Sequence, residues 1–375
     1  MAESTRLVDV IQGALDEFLD HRERELAAIA SDLRPFVDFS RDLLRGGKRF
    51  RALFCYWGNR AVSDVARDPA APLDTVEADA PPLDSVVLAA AALEMFHAAA
   101  LVHDDIIDNS ATRRGLPSVH ERFAALHREL DWTGNPDHFG SSAAMLAGDL
   151  LLAWSDQLFT SALELVPVEA ARNAARAEFT RMRTEVMLGQ YLDILEEQSW
   201  GARPETELLP RAQKVIVYKS AKYSIEAPLT IGAALSGGTA EQLDALRSFG
   251  LPLGIAYQLR DDLLGVFGDP DVTGKPAGDD LREGKRTVLI AVARGALPSN
   301  AVAFLDEHLG DRSLSDEQVR MLQSALRGSG AVERIEKVIE LNAETARGAL
   351  VDAPVSAAAK RELTTLVEAV TTRTS

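Results

Sequence analysis

The chain has 375 residues, of which 46% are hydrophobic and 26% are charged, proportions that are typical of a folded globular protein. Its formal net charge of −17 argues against nucleic acid and against an anionic membrane surface as partners. A single cysteine, Cys55, excludes an intrachain disulfide, and the start MAESTRLVDV lacks a signal-peptide pattern, so we expect a cytoplasmic protein.

Helices are predicted along the whole chain, because apolar residues recur mostly at helical spacing and runs of β-branched residues are short. The predicted fold class is therefore all-α. The most apolar run, Ser85–Val102, contains Glu94 and His97 and lies at the short limit for crossing a bilayer. We interpret it as a buried core helix and expect no transmembrane segment. Residues 64–84 are rich in Asp, Ala and Pro, which predicts a surface loop.

The other predicted elements are also helical. A break is expected over residues 203–210, which contain two prolines, and a kink is expected at Pro252. The predicted helices are 5–31, a segment that ends at Gly46-Gly47, one that opens at the following K-R-F-R, one from near Pro117, then 141–161, 167–198, 211–236, 239–268 and four or five within 287–374.

Three aspartates, Asp104, Asp105 and Asp108, end the most apolar helix. Spacings of three and four place side chains on one helix face, where like charges repel unless a cation compensates them. Carboxylate oxygens without His or Cys suit Mg²⁺, which fills the rest of its shell with water and substrate phosphates. Arg113 and Arg114 follow, and guanidinium groups bind phosphate as bidentate forks. The alternative is a solvated acidic helix end followed by a basic loop.

A basic group lies earlier in the chain, where Lys48, Arg49 and Arg51 follow two glycines at the start of a predicted helix. Free backbone N–H groups and the helix dipole favour an anion there. The alternative is a glycine helix stop followed by a solvated basic turn. His97 precedes Asp104 by about two helical turns on roughly the same face, so it could contact a ligand that extends from the aspartates. A core histidine is the competing interpretation.

The second half of the chain repeats this theme. Asp261 and Asp262 form a second acidic pair, one turn after Gln258. The motif G-Q-Y-L-D places Gln190 and Asp193 on one helix face. Lys219 and Ser220 lie among apolar neighbours, which is unusual for a lysine unless it reaches solvent along its apolar stem. Lys275 and Lys285 each follow a glycine in the loop after the second acidic pair, and this loop could fold over a phosphate or be an ordinary solvated loop.

The order of these motifs is very specific: G-G-K-R, D-D-x-x-D, R-R-G, G-Q-x-x-D, K-S-A, Y-Q-x-x-D-D and two G-K pairs. Over residues 46–287 the chain resembles the trans-isoprenyl diphosphate synthases (polyprenyl synthetases), most of all the bacterial geranylgeranyl and farnesyl diphosphate synthases. The resemblance implies a single isoprenoid synthase domain over residues 1–375, an all-α bundle around a deep central cavity, and a homodimer. It also implies condensation of isopentenyl diphosphate with an allylic diphosphate, namely dimethylallyl, geranyl or farnesyl diphosphate.

The same resemblance implies roles for individual residues. Asp104, Asp108 and Asp261 are implied as ligands of Mg²⁺, with three ions per active site, and Asp105 and Asp262 complete the two catalytic clusters. The allylic diphosphate is expected to be held by Arg113, Lys219, Ser220, Gln258, Lys275 and Lys285, of which Arg113 and Lys219 also assist catalysis. Isopentenyl diphosphate is expected to be held by Lys48, Arg51, His97 and Arg114.

Three positions depart from the family pattern. Ala52 stands where a proline is usual, and Ser220 replaces a threonine but keeps the hydroxyl. Gly265 stands where the second acidic motif normally ends in aspartate. Asp269 lies seven residues after Asp262, close to the same helix face, and could substitute for the missing residue. We favour the interpretation that the loss is tolerated.

Product length is predicted from the helix that precedes Asp104, along which the growing tail is expected to run. Leu93, Phe96 and Ala99 lie near one face, and each three-residue step descends about 4.5 Å, close to one isoprene unit. Farnesyl-forming members commonly place an aromatic residue where this chain has Ala99 and Ala100. Phe96 is the next bulky residue, so geranylgeranyl diphosphate is the expected product. The alternatives are a farnesyl or longer product, and Phe96 as a plain core residue.

Other function classes fit the motifs less well. A class I terpene cyclase would need an N-D-x-x-S-x-x-x-E-like second motif and no isopentenyl site, whereas this chain has Asp261-Asp262 and a full G-G-K-R. A non-catalytic subunit of a heteromeric synthase tends to lose an acidic cluster, and neither is lost here. A plain helical scaffold would not place glycines and cations in this order.

Overall fold

A computed structural model describes residues 2–66, 83–269 and 278–372, and nearly all of them are helical, which confirms the all-α prediction. The strands within these ranges are Thr112–Arg113 and Leu116–Pro117, which pair antiparallel. The helices are α1 Ala2–Ile29, α2 Arg34–Leu43, α3 Phe50–Ala66, α4 Leu83–Ile107, α5 Val119–Glu129, α6 Pro136–Glu164, α7 Glu169–Ser199, α8 Glu205–Val215, a π-helix Ile216–Glu226, α9 Ala227–Leu235, α10 Ala240–Phe267, α11 Asp279–Glu283, α12 Val288–Arg294, α13 Ser299–His308, α14 Asp316–Gly328, α15 Ala331–Val351 and α16 Ala357–Thr371, with 3₁₀ turns at Ser31–Leu33 and Trp200–Ala202.

Contacts divide the chain into two compact units, and the single domain over residues 1–375 stays a prediction. The first unit comprises Met1–Arg176 and Pro228–Thr239. At its centre α4 packs along α6, α3 and α1, because its run of alanines lets neighbouring helices approach. Within α4, Asp84–Ile107 is long and apolar enough to cross a membrane, yet 78% of its most apolar window is buried inside the protein. That burial is what we predicted for a core helix.

The second unit comprises Ala177–Ala227 and Ala240–Ser375. Its central helix is α10, which packs against the π-helix, α15 and α16. The apolar side chains of α10, such as Leu259 and Leu263, belong to one buried cluster with residues of α12, α14 and α15. Because this cluster fixes the rotation of α10 about its axis, the polar residues on the opposite face of the helix are also fixed in place.

Several predicted boundaries are wrong. The helix start predicted near Pro117 is not among them, because α5 begins at Val119; before it, Arg114 and Gly115 both have positive φ, which makes a tight hairpin turn. The break predicted over 203–210 is instead the start of α8, which contains Pro210, because the burial of its apolar face outweighs the cost of the proline. The helix predicted over 211–236 is interrupted by the π-helix.

The two predicted loops fall only partly within the described residues. The loop predicted over 64–84 is wrong at both ends, because α3 continues to Ala66 and α4 begins at Leu83. Residues 67–82, between those helices, lie outside the described residues. The loop after α10 contains the short helix α11 near its end, and Lys275 lies outside the described residues.

Candidate active site

The first acidic cluster lies at the C-terminal end of α4, as predicted. Asp105 and Asp108 are buried, whereas the side chain of Asp104 is 22% exposed. Arg113, on the hairpin, donates from Nε to Oδ1 of Asp105 at 2.9 Å, and its Nη2 pairs with Asp105 and, at 3.5 Å, with Asp104. One guanidinium therefore compensates two of the three like charges and is itself held in place by the buried carboxylate.

Arg114 turns in the other direction, towards the loop that carries the first basic motif. Its Nη1 donates to the carbonyl oxygens of Leu43, at 2.8 Å, and Arg45, at 3.4 Å. The same guanidinium lies only 3.3 Å from where a Cβ of residue 47 would be, and Gly47 has φ 81°. The glycine is therefore needed both for the backbone turn and for this close approach.

His97 lies among arginines. Burial and the positive charges of Arg51, Arg114, Arg113 and Arg49 together hold the pKa of the imidazole well below its usual range. A neutral histidine surrounded by four guanidinium groups marks a site that favours an anion. The structure thus brings together His97, Arg51 and Arg114, three of the four residues that the resemblance implies for isopentenyl diphosphate; the fourth, Lys48, is in the same loop as Arg49.

The positions predicted to set product length differ in exposure. Leu93, Phe96 and Ala99 are buried, at 0%, 2% and 0% exposure, and Ala100 keeps a partly exposed surface. Alanine at positions 99 and 100 presents only a methyl group on α4, where an aromatic residue would present a ring. The role of Phe96 stays a prediction, since a buried aromatic ring suits both the end of a tail pocket and ordinary core packing.

In the second unit, cations and carboxylates of three motifs meet. The Nζ atom of Lys219 lies 2.5 Å from Oδ2 of Asp193, the last residue of G-Q-Y-L-D. Lys285 Nζ lies 3.9 Å from the same oxygen and 3.7 Å from Oε1 of Glu197. Both lysine side chains are mostly buried. They are stabilised there by acidic partners and do not reach solvent along an apolar stem. Ser220 is partly buried beside Lys219.

Lys219 and Ser220 lie on the π-helix, whose backbone two neighbouring helices approach closely at glycines. A Cβ at Gly189 of α7 would lie 2.5 Å from the carbonyl carbon of Tyr218. A Cβ at Gly254 of α10 would lie 2.5 Å from the carbonyl oxygen of Ala221. Any side chain at either position would push the π-helix away, so the two glycines fix where the K-S-A motif stands against α7 and α10.

The second acidic pair differs in environment as well as in sequence position. Asp261 is exposed, whereas Asp262 is 5% exposed. Burial raises the pKa of Asp262 well above its usual range; the hydrogen bond from Gln258 Nε2, at 2.8 Å, opposes this, and Asp280, Asp261 and Asp193 raise the pKa further. Oδ2 of Asp262 is buried and finds no hydrogen-bond partner among the described residues.

The position of the missing aspartate is filled from another element. Around Gly265, the carboxylate of Asp280 on α11 occupies the space where a side chain would begin: a Cβ there would lie 2.7 Å from Asp280 Oδ1 and closer still to Oδ2. Asp280 also acts electrostatically on Asp262, as described above. Asp269 is exposed. The sequence predicts either replacement by Asp269 or no replacement, so the part of Asp280 is a finding of the structure.

The donor set fits Mg²⁺. Both clusters offer carboxylate oxygens, and each combines a solvent-accessible aspartate, Asp104 or Asp261, with a buried neighbour. Within residues 2–66, 83–269 and 278–372, no group of three or more His, Cys, Asp or Glu side chains forms a site that could hold a metal by itself. Mg²⁺ usually takes one or two carboxylates and completes its shell with water and phosphate oxygens, so it does not need a full set of protein ligands.

Sequence reasoning missed several residues of these sites. The sequence places Asp193 on one helix face with Gln190 but predicts no role for it. Glu197, four residues after Asp193, adds a second carboxylate to the same face. Asp280 lies in a predicted loop, and no role is predicted for it. The only signal was Gly265, which stands on α10 at the motif position that normally carries a carboxylate. The sequence does not predict that Arg49 and Glu94 pair, and the only signal for the pair is a glutamate inside an apolar helix, which needs a partner.

Comparison with known proteins identifies the family of the chain. Residues 35–326 match the polyprenyl synthetase family. The chain is 30% identical over 322 residues to the geranylfarnesyl diphosphate synthase of Aeropyrum pernix, a match that covers 86% of this chain and 88% of that protein. It is 34% identical over 231 residues to the geranylgeranyl diphosphate synthase of Sulfolobus acidocaldarius, which covers 62% of this chain and 63% of that protein.

Solved structures show the same fold. A geranylgeranyl pyrophosphate synthase from Corynebacterium glutamicum, complexed with isoprenyl diphosphate and magnesium, aligns with a TM-score of 0.89 and 38% identity over 98% of each chain. A polyprenyl synthase from Caulobacter crescentus aligns with a TM-score of 0.76 and 25% identity, covering 100% of this chain and 98% of that one. The chain therefore belongs to the polyprenyl synthetase family and is a trans-prenyltransferase with the all-α isoprenoid synthase fold.

Proposed function

We propose that this enzyme condenses isopentenyl diphosphate with an allylic diphosphate and releases geranylgeranyl diphosphate as its main product. The observation that carries the proposal is that in each unit a motif cation pairs with a motif carboxylate: Arg113 with Asp105 of the first acidic cluster, and Lys219 with Asp193 of G-Q-Y-L-D. The product follows from Ala99 and Ala100, and the similar proteins named above include geranylgeranyl diphosphate synthases. Farnesyl and longer products are the alternatives.

The reaction joins two carbon skeletons with loss of diphosphate. The allylic C–O bond breaks and its electron pair leaves on the diphosphate; the isopentenyl double bond then attacks the allylic cation, and loss of a proton restores a double bond. We propose that Arg113, Lys219, Ser220, Gln258, Lys275 and Lys285 hold the allylic diphosphate. Lys48, Arg51, His97 and Arg114 hold isopentenyl diphosphate, and the released diphosphate accepts the proton.

Two sets of residues would stabilise the negative charge on the leaving diphosphate. Asp104, Asp108 and Asp261 would hold Mg²⁺, three ions per active site in the full proposal, and the bound metal would stabilise the charge that develops on the leaving group. The chain's own cations act on the same charge: Arg113 is oriented by Asp105, and Lys219 is oriented by Asp193. Leu93 and Ala99 are apolar and fully buried, and we propose that such side chains of α4 keep water from the cation.

Asp280 is proposed to supply the carboxylate that Gly265 lacks. Gly265→Asp should therefore destabilise the fold, because its side chain would collide with Asp280 and add a charge beside Asp262, costing about 1–3 kcal/mol. Asp280→Ala in the same chain should relieve the collision and recover most of that loss. Thermal unfolding measures both changes, and Gly13→Asp is the control because a Cβ at Gly13 meets open space. A stable Gly265→Asp protein would disprove this placement.

Ala99→Phe should shorten the product to farnesyl diphosphate, and Phe96→Ala should lengthen it. The expectation follows from helical rise, since a bulky group at residue 99 closes the tail pocket about one isoprene unit earlier. Chromatography of the dephosphorylated products measures both shifts. An unchanged product distribution in both variants would place the end of the pocket on another helix.

The proposed reaction is tested by incubating the purified protein with Mg²⁺, isopentenyl diphosphate and each allylic primer in turn: dimethylallyl, geranyl and farnesyl diphosphate. Mass spectrometry then identifies the product. We expect a product with four isoprene units from every primer. Cyclised hydrocarbon without consumption of isopentenyl diphosphate would favour a terpene cyclase instead, and no turnover of any primer would favour a non-catalytic subunit.

The assembly and the location are proposed as well. We propose a cytoplasmic homodimer without a membrane-spanning segment or a nucleic-acid partner. The homodimer is supported by an exposed apolar surface on α7, where the side chains of Met187, Leu188 and Tyr191 are 48%, 60% and 61% exposed. Apolar side chains that recur on one helix face at the surface are typical of an interface. Sedimentation equilibrium measures the mass, and a monomer at micromolar concentration would contradict the dimer.

A further inference from the structure

A buried ion pair lies directly behind the first basic motif. Arg49 Nη1 donates to Oε2 of Glu94 at 3.0 Å, and the two side chains are 3% and 4% exposed. Taking both charges out of water is costly, and apolar residues of similar volume often stabilise a fold as well as a buried ion pair does. The pair therefore needs a reason beyond stability.

Arg49 ties three segments of the first unit together. Besides Glu94 on α4, its guanidinium donates through Nη2 to Oε1 of Gln12 on α1, at 2.5 Å, and to the carbonyl oxygen of Leu44 at the end of α2. Its backbone is in the left-handed region, at φ 51°, which is unfavourable for a residue with a side chain. The surrounding contacts therefore hold the G-G-K-R loop in a conformation that it would not favour alone.

Glu94 acts on the other side of the same loop. Its second oxygen, Oε1, accepts from the backbone N–H of Ala52 at 3.3 Å. Ala52 lies in the first turn of α3, where backbone N–H groups have no partner within the helix. The carboxylate of α4 thus caps the helix whose first turn carries Arg51, and α4 also carries His97 one turn after Glu94.

We propose that Arg49 and Glu94 are positioning residues for isopentenyl diphosphate: together they hold Lys48 and Arg51 in the geometry that binds its diphosphate. The inference rests on the proposed function. Arg49 fixes the loop before and after Lys48, and Glu94 fixes the helix start that carries Arg51. Neither residue needs to touch the substrate.

The charge of Glu94 also serves the arginines around it. Burial lowers the pKa of Arg114, and Glu94 is the carboxylate that opposes this effect, whereas Arg49, Arg113 and Arg51 add to it. A carboxylate behind the cluster lets several guanidinium groups stand close together before any diphosphate is bound. Without it, mutual repulsion would spread them apart.

Glu94→Gln keeps the size and the acceptor oxygen but removes the charge, and Arg49→Lys keeps the charge but removes the fork. For each folded variant we expect KM for isopentenyl diphosphate to rise about tenfold or more, with little change in KM for the allylic primer or in kcat at saturation. Arg60→Lys is the matched control, because Arg60 lies on α3 and pairs with Asp64 at 2.9 Å, away from the first turn. It should change neither KM.

A double variant separates positioning from stability. Arg49→Met with Glu94→Met replaces the ion pair by apolar side chains and leaves neither charge buried without its partner, so its melting temperature should exceed those of Arg49→Met and Glu94→Met alone. If the pair positions the substrate-binding cations, KM for isopentenyl diphosphate stays high in this stable protein. If KM returns to the wild-type value together with stability, or if both substrates weaken equally in all variants, the inference is wrong. A wild-type protein that never elongates a primer would instead overturn the proposed function.

Discussion

Asp104→Ala and Asp261→Ala are each expected to lower kcat by about 10²–10³-fold or more while the helices stay folded. Both side chains are solvent-accessible members of their clusters, so removing them leaves no buried charge unpaired and little packing is lost. What is lost is a ligand for the metal that would stabilise charge on the leaving diphosphate. Steady-state kinetics at saturating substrate measures the effect, and circular dichroism checks the fold.

Two further measurements make this result specific. Asp64→Asn is the control for Asp104→Ala, because Asp64 is a partly buried aspartate that pairs with Arg60, outside the acidic cluster. It should leave kcat unchanged. EDTA should abolish turnover, and added Mg²⁺ should restore it. Condensation that proceeds without a divalent metal, or full activity in both alanine variants, would contradict the assignment of the two clusters.

Lys219→Ala is expected to raise KM for the allylic substrate about tenfold or more, with a smaller effect on KM for isopentenyl diphosphate. The lysine lies 2.5 Å from Asp193, and Lys285 stays 3.9 Å from the same carboxylate when Lys219 is removed, so the fold keeps a compensating charge. Lys48→Ala should do the reverse and weaken isopentenyl diphosphate. Initial rates with each substrate varied in turn measure both constants.

Lys222→Ala is a close control for this experiment. Lys222 lies on the same π-helix, has the same 21% exposure as Lys219 and pairs with a carboxylate of α7, Glu185, at 2.9 Å. It belongs to no motif of the proposed site, so both Michaelis constants should stay near the wild-type values. If Lys219→Ala and Lys48→Ala weaken the same substrate, the proposed division between the two diphosphates is wrong.

Helical periodicity and motif order predicted much of the fold and of the site, because both depend on local spacing. The apolar pattern predicted α4 as a core helix, and the one-turn spacing of Gln258 and Asp262 agrees with the hydrogen bond that joins them. Helical spacing placed His97 on roughly the face of Asp104, whereas its grouping with Arg51 and Arg114 came from the resemblance to the family.

The residues that escaped prediction depend on contacts between elements. No sequence signal distinguishes the π-helix from the α-helices around it. The close approach of its backbone to Gly189 and Gly254 becomes evident only once α7 and α10 are placed. Asp280 fills the space beside Gly265 because α11 folds back onto α10. The turn at Arg114 needs positive φ at a residue with a side chain, which propensity alone disfavours.

The central claim is that the two acidic clusters and their metal hold the allylic diphosphate. Titration calorimetry tests it with a geranyl diphosphate analogue in which sulfur replaces the bridging oxygen, so that binding is measured without reaction. We predict binding by the wild-type protein with Mg²⁺, loss of binding in EDTA, and affinity at least about tenfold weaker in Asp104→Ala and in Asp261→Ala. Equal affinity with and without Mg²⁺, or unchanged affinity in both variants, would contradict the claim.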